Sequence, residues 1–481
     1  MRVLRGVYEG PGSHGILRVA ASMRGVRAVF RALPSEWHFP ALLGGYARSG
    51  TAAPVTLSPV IPPFESSRAP GDFAGDLSAA VRRHAPDAVL VARSDTALIS
   101  GEEPPEMSFP PDRRTGRSPK LIRSDWESPE VGEVEAANLA LLELVQAFAN
   151  RPRSRTKEPS VNLFGAPVLE PLAAAELAEM ERLLGLIGVE INAVVPLGAG
   201  AEDLARLPRA WASVVLHREF GEAASLYLQD EFKIPRVAAP ILGAVGTGAA
   251  LRSIGELCSL DASDVNRVIW GELANTARLP WYARITPPEV LEGRRVAVFG
   301  DLTYALGLGY TCARELGMEV IWSGTYLLHM ERDFMWRAEA FTDEAFATDD
   351  PDEVAARAES SRPDLLIGTA LEAPVADSLG IPFLELCPPR SHHPLSPAPL
   401  MGYAGTGAIA DALDAALRRH RSEPPPAGDN LPWNEDALEE LRRIPPFLRG
   451  RARRLAEEHA RRAGASAVTR EILQESRTRG R

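Results

Sequence analysis

The residues best suited to metal or redox chemistry are the three cysteines, Cys258, Cys312 and Cys387. They are far apart in the sequence and form no Cys-x-x-Cys pair. An iron–sulfur cluster or a closed cysteine-type zinc site takes four ligands, so three cysteines cannot complete either one from this chain alone. They also form no disulfide framework, which is typical of a protein in a reducing compartment. The cysteines therefore predict a cytoplasmic protein.

Other common catalytic and nucleotide-binding motifs are missing from the sequence. None of the three lysines follows a glycine, so there is no Walker A loop to hold ATP phosphates. The nine histidines are scattered, and only His392 and His393 are adjacent. Neighbouring strand residues point apart, so we interpret this pair as loop residues rather than metal ligands. Gly300-Asp301 follows a predicted strand where α/β folds bind ligands, although a turn explains it equally well.

The elements that must position these residues are alternating strands and helices. Short apolar runs predict buried strands, and apolar residues at helical spacing predict helices between them. The predicted strands are 3–8, 88–91, 161–165, 190–195, 211–216, 296–301, 319–322, 364–368 and 382–386. The predicted helices include 15–23, 133–148, 171–186 and 221–232, and residues 101–130 are predicted to form a long surface loop. This alternation is typical of parallel sheets covered by helices.

The predicted architecture is an α/β fold of several domains. We expect three Rossmann-like parallel-sheet domains at residues 1–150, 160–290 and 293–421, followed by a small C-terminal helical domain at 431–481. Pro-rich and polar stretches at 150–159 and 422–430 are predicted to be linkers. A chain of 481 residues has room for this many domains.

Charge and hydropathy exclude two classes of partner. Lys and Arg number 53 against 64 Asp and Glu, giving a formal net charge of −11. Binding to nucleic acid or to an anionic membrane surface needs a basic field, so both are disfavoured. The sequence has no run of 18 apolar residues and no apolar stretch typical of a signal peptide at its start. We expect a soluble cytoplasmic protein.

Several ordered motifs together resemble one family along nearly the whole chain. They are Tyr-Glu-Gly-Pro at 8–11, Leu-Pro-Trp-Tyr-Ala-Arg at 279–284, Gly-Thr at 368–369 with Glu372, Met-Gly-Tyr at 401–403, and Ile-Pro-Pro-Phe-Leu-Arg-Gly-Arg at 444–451. The sequence resembles the B-type subunits of light-independent (dark-operative) protochlorophyllide reductase, which are nitrogenase-like proteins. The resemblance is weak at 50–80, 101–130 and 410–430.

The resemblance implies a division of labour between chains. Two B-type and two N-type subunits would form a heterotetramer, and a separate ATP-hydrolysing iron–sulfur protein would deliver electrons to it. A [4Fe-4S] cluster would lie between the two types, with three cysteines from the N-type chain and one carboxylate from the B-type chain. The electrons would reduce the ring D C17=C18 double bond of protochlorophyllide in chlorophyll or bacteriochlorophyll biosynthesis. The absent Walker A loop and the few cysteines agree with this scheme.

The resemblance places the cluster carboxylate at Glu36, where the family has an aspartate. A carboxylate is a harder ligand than a thiolate, so it is expected to shift the potential of a cluster. The alternative is that Glu36 is a solvated loop residue. Asp95 stands where the family tends to carry a cysteine, and it is the reserve ligand. The alternative for Asp95 is a turn-capping residue.

The sequence departs from the family at the proton donor. Pro287 stands where the family has an aspartate, and proline has no side-chain proton to give. The candidate replacements are Glu289, which is the nearest carboxylic acid, and His392 or His393. The resemblance further suggests that Met401, Gly402 and Tyr403 contact the substrate.

The departure at Pro287 leaves two rival hypotheses open. One is a paralogue that uses the same electron-transfer frame to reduce a different tetrapyrrole or another substrate. The other is a non-catalytic partner or assembly scaffold that kept the fold. Glu36 and the intact C-terminal motif count against the scaffold.

Overall fold

The structure is a computed structural model that describes residues 7–46, 55–60, 72–111, 116–150, 154–276, 291–391, 398–419, 431–443 and 446–478. Its described part contains three parallel β-sheets accompanied by helices, which confirms the predicted fold class. The described residues include no helix that is long and apolar enough to cross a bilayer.

The first sheet has the strand order β2-β1-β3-β4. Its strands are β1 (Val26–Ala32), β2 (Val55–Pro59), β3 (Ala88–Arg93) and β4 (Lys120–Ile122). Its helices are α1 (Gly12–Ser22), α2 (His38–Tyr46), α3 (Phe73–His84), α4 (Asp95–Ile99) and α5 (Glu133–Phe148). β1 and β3 are buried along their whole length because helices cover both faces of a parallel sheet.

One expectation for this region was wrong, and another is contradicted at the two residues that the structure describes. The segment 101–130 is not entirely a loop, because β4 lies within it and pairs with β3. The predicted strand at 3–8 is not found at Val7 and Tyr8, and its other residues lie outside the described part of the chain. The first described strand of the sheet is β1, which the sequence did not predict.

The second sheet has the order β6-β5-β7-β8. Its strands are β5 (Ser160–Phe164), β6 (Glu190–Val195), β7 (Ala212–Val215) and β8 (Arg236–Val237). The helices of this stretch are α6 (Ala173–Leu186), α7 (Ala201–Arg206), α8 (Arg218–Phe232), α9 (Gly243–Leu257) and α10 (Ala262–Thr276). The strand prediction for 190–195 agrees with β6 residue for residue.

The third sheet has the order β11-β10-β9-β12-β13. Its strands are β9 (Arg295–Gly300), β10 (Glu319–Thr325), β11 (Ala345–Ala347), β12 (Leu365–Gly368) and β13 (Phe383–Glu385). Its helices are α11 (Leu302–Arg314), α12 (Glu331–Ala338), α13 (Pro351–Ser361), α14 (Ala373–Leu379) and α15 (Gly402–Arg419). The strand order reverses between β9 and β12, which is where such sheets have their ligand-binding crevice.

The C-terminal helices form a small cluster with its own apolar core. They are α16 (Glu435–Arg443), α17 (Pro446–Arg462) and α18 (Arg470–Thr478). Leu441, Ala456 and Leu473 are among the buried side chains, and Trp433 packs against them. The Trp433 indole also donates to Glu457 at 3.0 Å, so Trp433 anchors this cluster.

The chain packs as two compact units. One consists of Met1–Tyr8, Pro240–Ala249 and Asn266–Arg481 and contains the third sheet. The other consists of Glu9–Ala239 and Ala250–Val265 and contains the first two sheets. The boundaries of the four expected domains stay a prediction.

Candidate functional site

The carboxyl edge of the first sheet brings Glu36 and Asp95 together. β1 and β3 are neighbouring parallel strands, with Arg31 of β1 paired in register with Arg93 of β3. After β1 the chain forms the short 3₁₀ turn Pro34–Glu36, and after β3 it enters α4 at Asp95. Because parallel strands end at the same edge, two residues 59 positions apart in sequence become neighbours.

The Glu36 carboxylate is held by two donors from different elements. The backbone N–H of Leu33 donates to Oε2 at 2.7 Å, and the Thr96 hydroxyl donates to Oε1 at 2.9 Å. The residue is half-buried. A carboxylate offers about four lone-pair positions, so each oxygen can still accept a further partner. Glu36 is therefore an ordered residue that closes its own turn, and it retains acceptor capacity.

Asp95 is exposed at the first turn of α4. Partial burial and then the neighbouring charge of Glu36 raise the pKa of its carboxyl above the ordinary value. The side chain that caps this helix is Ser94 rather than Asp95, since the Ser94 hydroxyl accepts from the N–H of Ala97 at 3.3 Å. Asp95 and Glu36 are near enough for their charges to interact.

Arg31 and Arg93 are buried near the carboxyl ends of the two strands that carry this edge. Arg31 donates to Glu102 at 3.0 Å, and the Arg93 Nε donates to Glu127 at 2.8 Å. Burial raises the pKa of Glu127 to about 7 in spite of its hydrogen bonds from Arg93. These ion pairs were not predicted. The signal available in the sequence was the presence of arginines in otherwise apolar strands, two in β1 and one in β3.

The cysteines are buried away from any metal-binding arrangement. Burial raises the pKa of Cys258 to about 11 and of Cys312 to about 12, and it raises the pKa of Cys387 as well. Their thiols are therefore protonated near neutral pH, whereas metals bind the thiolate. The described residues contain no group of three or more His, Cys, Asp and Glu suited to a metal ion. The carboxylates of Glu36 and Asp95 fit a metal group that accepts oxygen ligands.

The carboxyl edge of the third sheet holds a carboxylate of a different kind. The Tyr8 hydroxyl donates to Glu372 Oε1 at 2.7 Å. The N–H and hydroxyl of Thr369 donate to Oε2 at 2.7 and 2.8 Å. Tyr8 also stacks on Tyr326, with 5.2 Å between ring centroids, and all these side chains are buried. Glu372 is a structural residue that links Tyr8 to the end of β12.

The carboxyl edge of the second sheet is also closed by buried charges. His217 follows β7, and its Nε2 lies 3.2 Å from Glu176 Oε2. Burial alone would lower the pKa of His217, but the adjacent carboxylate of Glu176, with the charges of Glu219 and Glu170, raises it to about 9. The imidazolium is therefore the stable form near neutral pH. Sequence reasoning missed this pair because its partners come from separate elements.

The predicted substrate-contacting residues of the third sheet have packing roles. Met401 is fully buried and pairs with Leu242 in a short antiparallel bridge. Gly402 donates its N–H to Ile241 at 2.9 Å, and Tyr403 is 5% exposed at the start of α15. Substrate contact by these three residues stays a prediction.

The Gly300-Asp301 pair forms the turn that joins β9 to α11. Asp301 caps α11, because its carboxylate accepts from the N–H of Tyr304 at 3.1 Å. A Cβ on Gly300 would lie 2.4 Å from the Cβ of Cys387, so only glycine fits at this point of the strand. Both observations support the turn explanation for this pair.

The residues concerned with proton donation lie outside the described part of the chain. This applies to Pro287, Glu289, His392 and His393. Their roles stay predictions.

Comparison with known proteins defines the family. Residues 73–418 match the model of the nitrogenase component 1 type oxidoreductases. The chain belongs to this family. A solved nitrogenase Cp1 structure superposes with a TM-score of 0.67, covering 89% of this chain and 96% of that one at 16% identity. The predicted nitrogenase component 1-like fold is thus confirmed.

Within that family, curated relatives show one type of subunit to which this chain is similar. The B-type subunit of light-independent protochlorophyllide reductase from Gloeothece citriformis is 28% identical, with 98% of each chain covered. The corresponding chain of Pyropia yezoensis is 28% identical, with 99% of each chain covered. Residues 433–477 also match the model of the proto-chlorophyllide reductase 57 kD subunit. The resemblance recognised in the sequence is confirmed.

Proposed function

We propose that this chain is the B-type subunit of a light-independent protochlorophyllide reductase. The enzyme would reduce the ring D C17=C18 double bond of protochlorophyllide in the dark, as a step of chlorophyll or bacteriochlorophyll biosynthesis. The proposal is supported by similarity to curated B-type chains over 98% of the sequence and by the separate match of the C-terminal helices at 433–477.

The observation that carries the proposal is the carboxylate pair at the edge of the first sheet. In the proposed complex, Glu36 supplies one oxygen ligand to a [4Fe-4S] cluster, and the N-type subunit supplies three cysteines. Glu36 is ordered, half-buried and keeps acceptor capacity, and Asp95 beside it is the reserve ligand. No cysteine belongs to a metal-binding group among the described residues, which agrees with an oxygen contribution from this chain. When bound, such a cluster relays single electrons.

The proposed partners are those that the family resemblance implies. The absence of a Walker A loop from this sequence agrees with a separate iron–sulfur ATPase as electron donor. We propose a cytoplasmic heterotetramer of two B-type and two N-type subunits. Glu289, His392 and His393 are the candidates for the proton that Pro287 cannot supply.

Anaerobic reconstitution with the N-type subunit tests the ligand assignment. Wild type, Glu36→Ala and Asp95→Ala are co-purified with the partner, and iron content and the EPR spectrum of the reduced complex are recorded. We expect Glu36→Ala to lose the cluster signal and Asp95→Ala to keep it. The reverse pattern would assign the ligand to Asp95, and a signal kept in both variants contradicts a carboxylate ligand from this edge.

The substrate is tested with the same complex. Protochlorophyllide, dithionite, ATP and the electron-donor protein are added in the dark, and chlorophyllide is followed by its absorbance. An intact, reducible cluster without chlorophyllide formation would favour the paralogue. A wild-type complex without iron would favour the scaffold.

A further inference from the structure

The Thr96 hydroxyl makes a contact that the proposed function does not itself require. It donates to Oε1 of Glu36 at 2.9 Å across 60 residues of sequence. The other oxygen of the same carboxylate accepts from the Leu33 N–H at 2.7 Å. The first contact comes from α4 and the second from the turn that carries Glu36 itself. Each oxygen of the carboxylate thus accepts a hydrogen bond, and the two donors come from different elements.

The position of Thr96 is set by the sheet rather than by its own short helix. The N–H of Ser94 donates to the Arg31 carbonyl at 2.9 Å, which continues the pairing of β3 with β1. The Ser94 hydroxyl then caps the turn that holds Thr96. Since β1 leads directly into the turn ending at Glu36, the hydroxyl and the carboxylate share one rigid base.

A glutamate needs such an anchor more than an aspartate does. Its additional methylene adds one rotatable bond between the backbone and the carboxylate. A donor on one oxygen restricts that rotation and orients the remaining lone pairs. Partners of this kind behind a metal ligand typically change metal affinity by about 10–100-fold when removed.

We propose that Thr96 is a positioning residue that orients the Glu36 carboxylate for its metal group. This inference rests on the proposed function, in which Glu36 is a cluster ligand. Thr96 itself touches neither cluster nor substrate in this account. It acts through the oxygen of Glu36 that receives its hydrogen bond.

The test uses the complex with the N-type subunit, carrying Thr96→Val or Thr96→Ser. Valine keeps the branched shape without the donor, and serine keeps the donor without the methyl group. The readouts are the rate of iron loss to an excess of a chelator and the EPR spectrum of the reduced cluster. We expect Thr96→Val to lose iron about tenfold faster and to alter the EPR spectrum, and Thr96→Ser to behave as wild type.

Three outcomes separate this inference from the proposed function. If Glu36→Ala abolishes the cluster but Thr96→Val matches wild type in both readouts, the positioning role is wrong and the ligand assignment stands. If Thr96→Ser fails as Thr96→Val does, the methyl group rather than the donor matters, which also overturns the inference. If Glu36→Ala keeps an unaltered cluster, the proposed ligand is wrong and the inference falls with it.

Discussion

Glu36 and Glu372 are the same residue type at the carboxyl edges of two different sheets, yet they differ in burial and in the number of hydrogen bonds they accept. Glu372 is 3% exposed and accepts three hydrogen bonds from its own chain. Glu36 is half-buried, accepts two hydrogen bonds, and has the exposed Asp95 beside it. A carboxylate that is saturated inside the protein stabilises the fold, whereas one left partly open at a sheet edge can bind a further partner.

The carboxyl edge of the third sheet, where Glu372 is saturated with hydrogen bonds, is the closed edge. It depends on a glycine at the end of β12. A Cβ on Gly368 would lie 2.8 Å from Glu372 Oε2, which is closer than ordinary contacts allow. The missing side chain lets the carboxylate fold back over β12 and meet Thr369. The carboxyl edge of the first sheet is the open edge. There, Glu36 instead folds back onto its own turn at Leu33 and remains half-buried.

The largest expected effect is at the closed edge. Glu372→Ala removes the acceptor of Tyr8 and of both Thr369 donors inside the protein, so we expect the free energy of unfolding to fall by about 3 kcal/mol. Urea unfolding followed by tryptophan fluorescence, to which the buried Trp322 of the same sheet contributes, measures this. A loss below about 0.5 kcal/mol would remove the distinction between the two edges.

A comparable effect, but dependent on pH, is expected at the second sheet. The pKa of His217 is about 9 in the folded chain against 6.5 for an ordinary histidine, so the folded state binds the extra proton between these values. The stabilisation is complete below pH 6.5 and is lost as the pH rises through 9, which amounts to about 3 kcal/mol.

Urea unfolding at pH 6.5, 7.5 and 9 measures how the free energy of unfolding depends on pH, with His217→Gln as the control. The variant has no titrating imidazole, so its stability is expected to change less across the same range. Equal slopes in wild type and variant would show that the His217–Glu176 pair does not hold the proton.

A smaller loss is expected when only one donor at the closed edge is removed. Tyr8→Phe keeps the ring that stacks on Tyr326 but leaves Glu372 Oε1 without the hydroxyl. We expect a loss of about 1.5 kcal/mol in unfolding free energy, measured in the same urea titration. A loss as large as that of Glu372→Ala would mean that Tyr8 carries the whole effect of this edge.

The smallest effect on stability is expected at the open edge. Asp95→Asn removes an exposed charge whose pKa is raised by burial and by Glu36, so we expect a change within about 0.5 kcal/mol at pH 7. Thermal unfolding of the isolated chain measures it. A loss of several kcal/mol would show that Asp95 is a structural residue like Glu372.

The sequence predicted the regular elements better than the contacts between them. The helix predicted at 133–148 agrees with α5 residue for residue, because its apolar spacing is unbroken. β1 was missed because Arg27 and Arg31 interrupt an apolar run, although both are buried and hydrogen-bonded. Polar residues satisfied by distant partners cannot be told from exposed ones by pattern alone.

The candidate site was only partly accessible to sequence reasoning. Glu36 and Asp95 were named from a family resemblance, and no local pattern marks either of them. The contact of Thr96 with Glu36 spans 60 residues, and that of Tyr8 with Glu372 spans 364. Such pairs depend on strand order and register, which set which loops meet at a sheet edge.

The most direct test of the carboxylate ligand is isotope labelling of this chain in its complex with the N-type subunit. The chain is made with side-chain ¹³C-carboxyl glutamate or, separately, aspartate, and ¹³C ENDOR is recorded on the reduced cluster. A strong ¹³C hyperfine coupling with labelled glutamate, and none with labelled aspartate, is the predicted result. A coupling from aspartate alone would assign the iron to Asp95, and no coupling from either label would contradict the account.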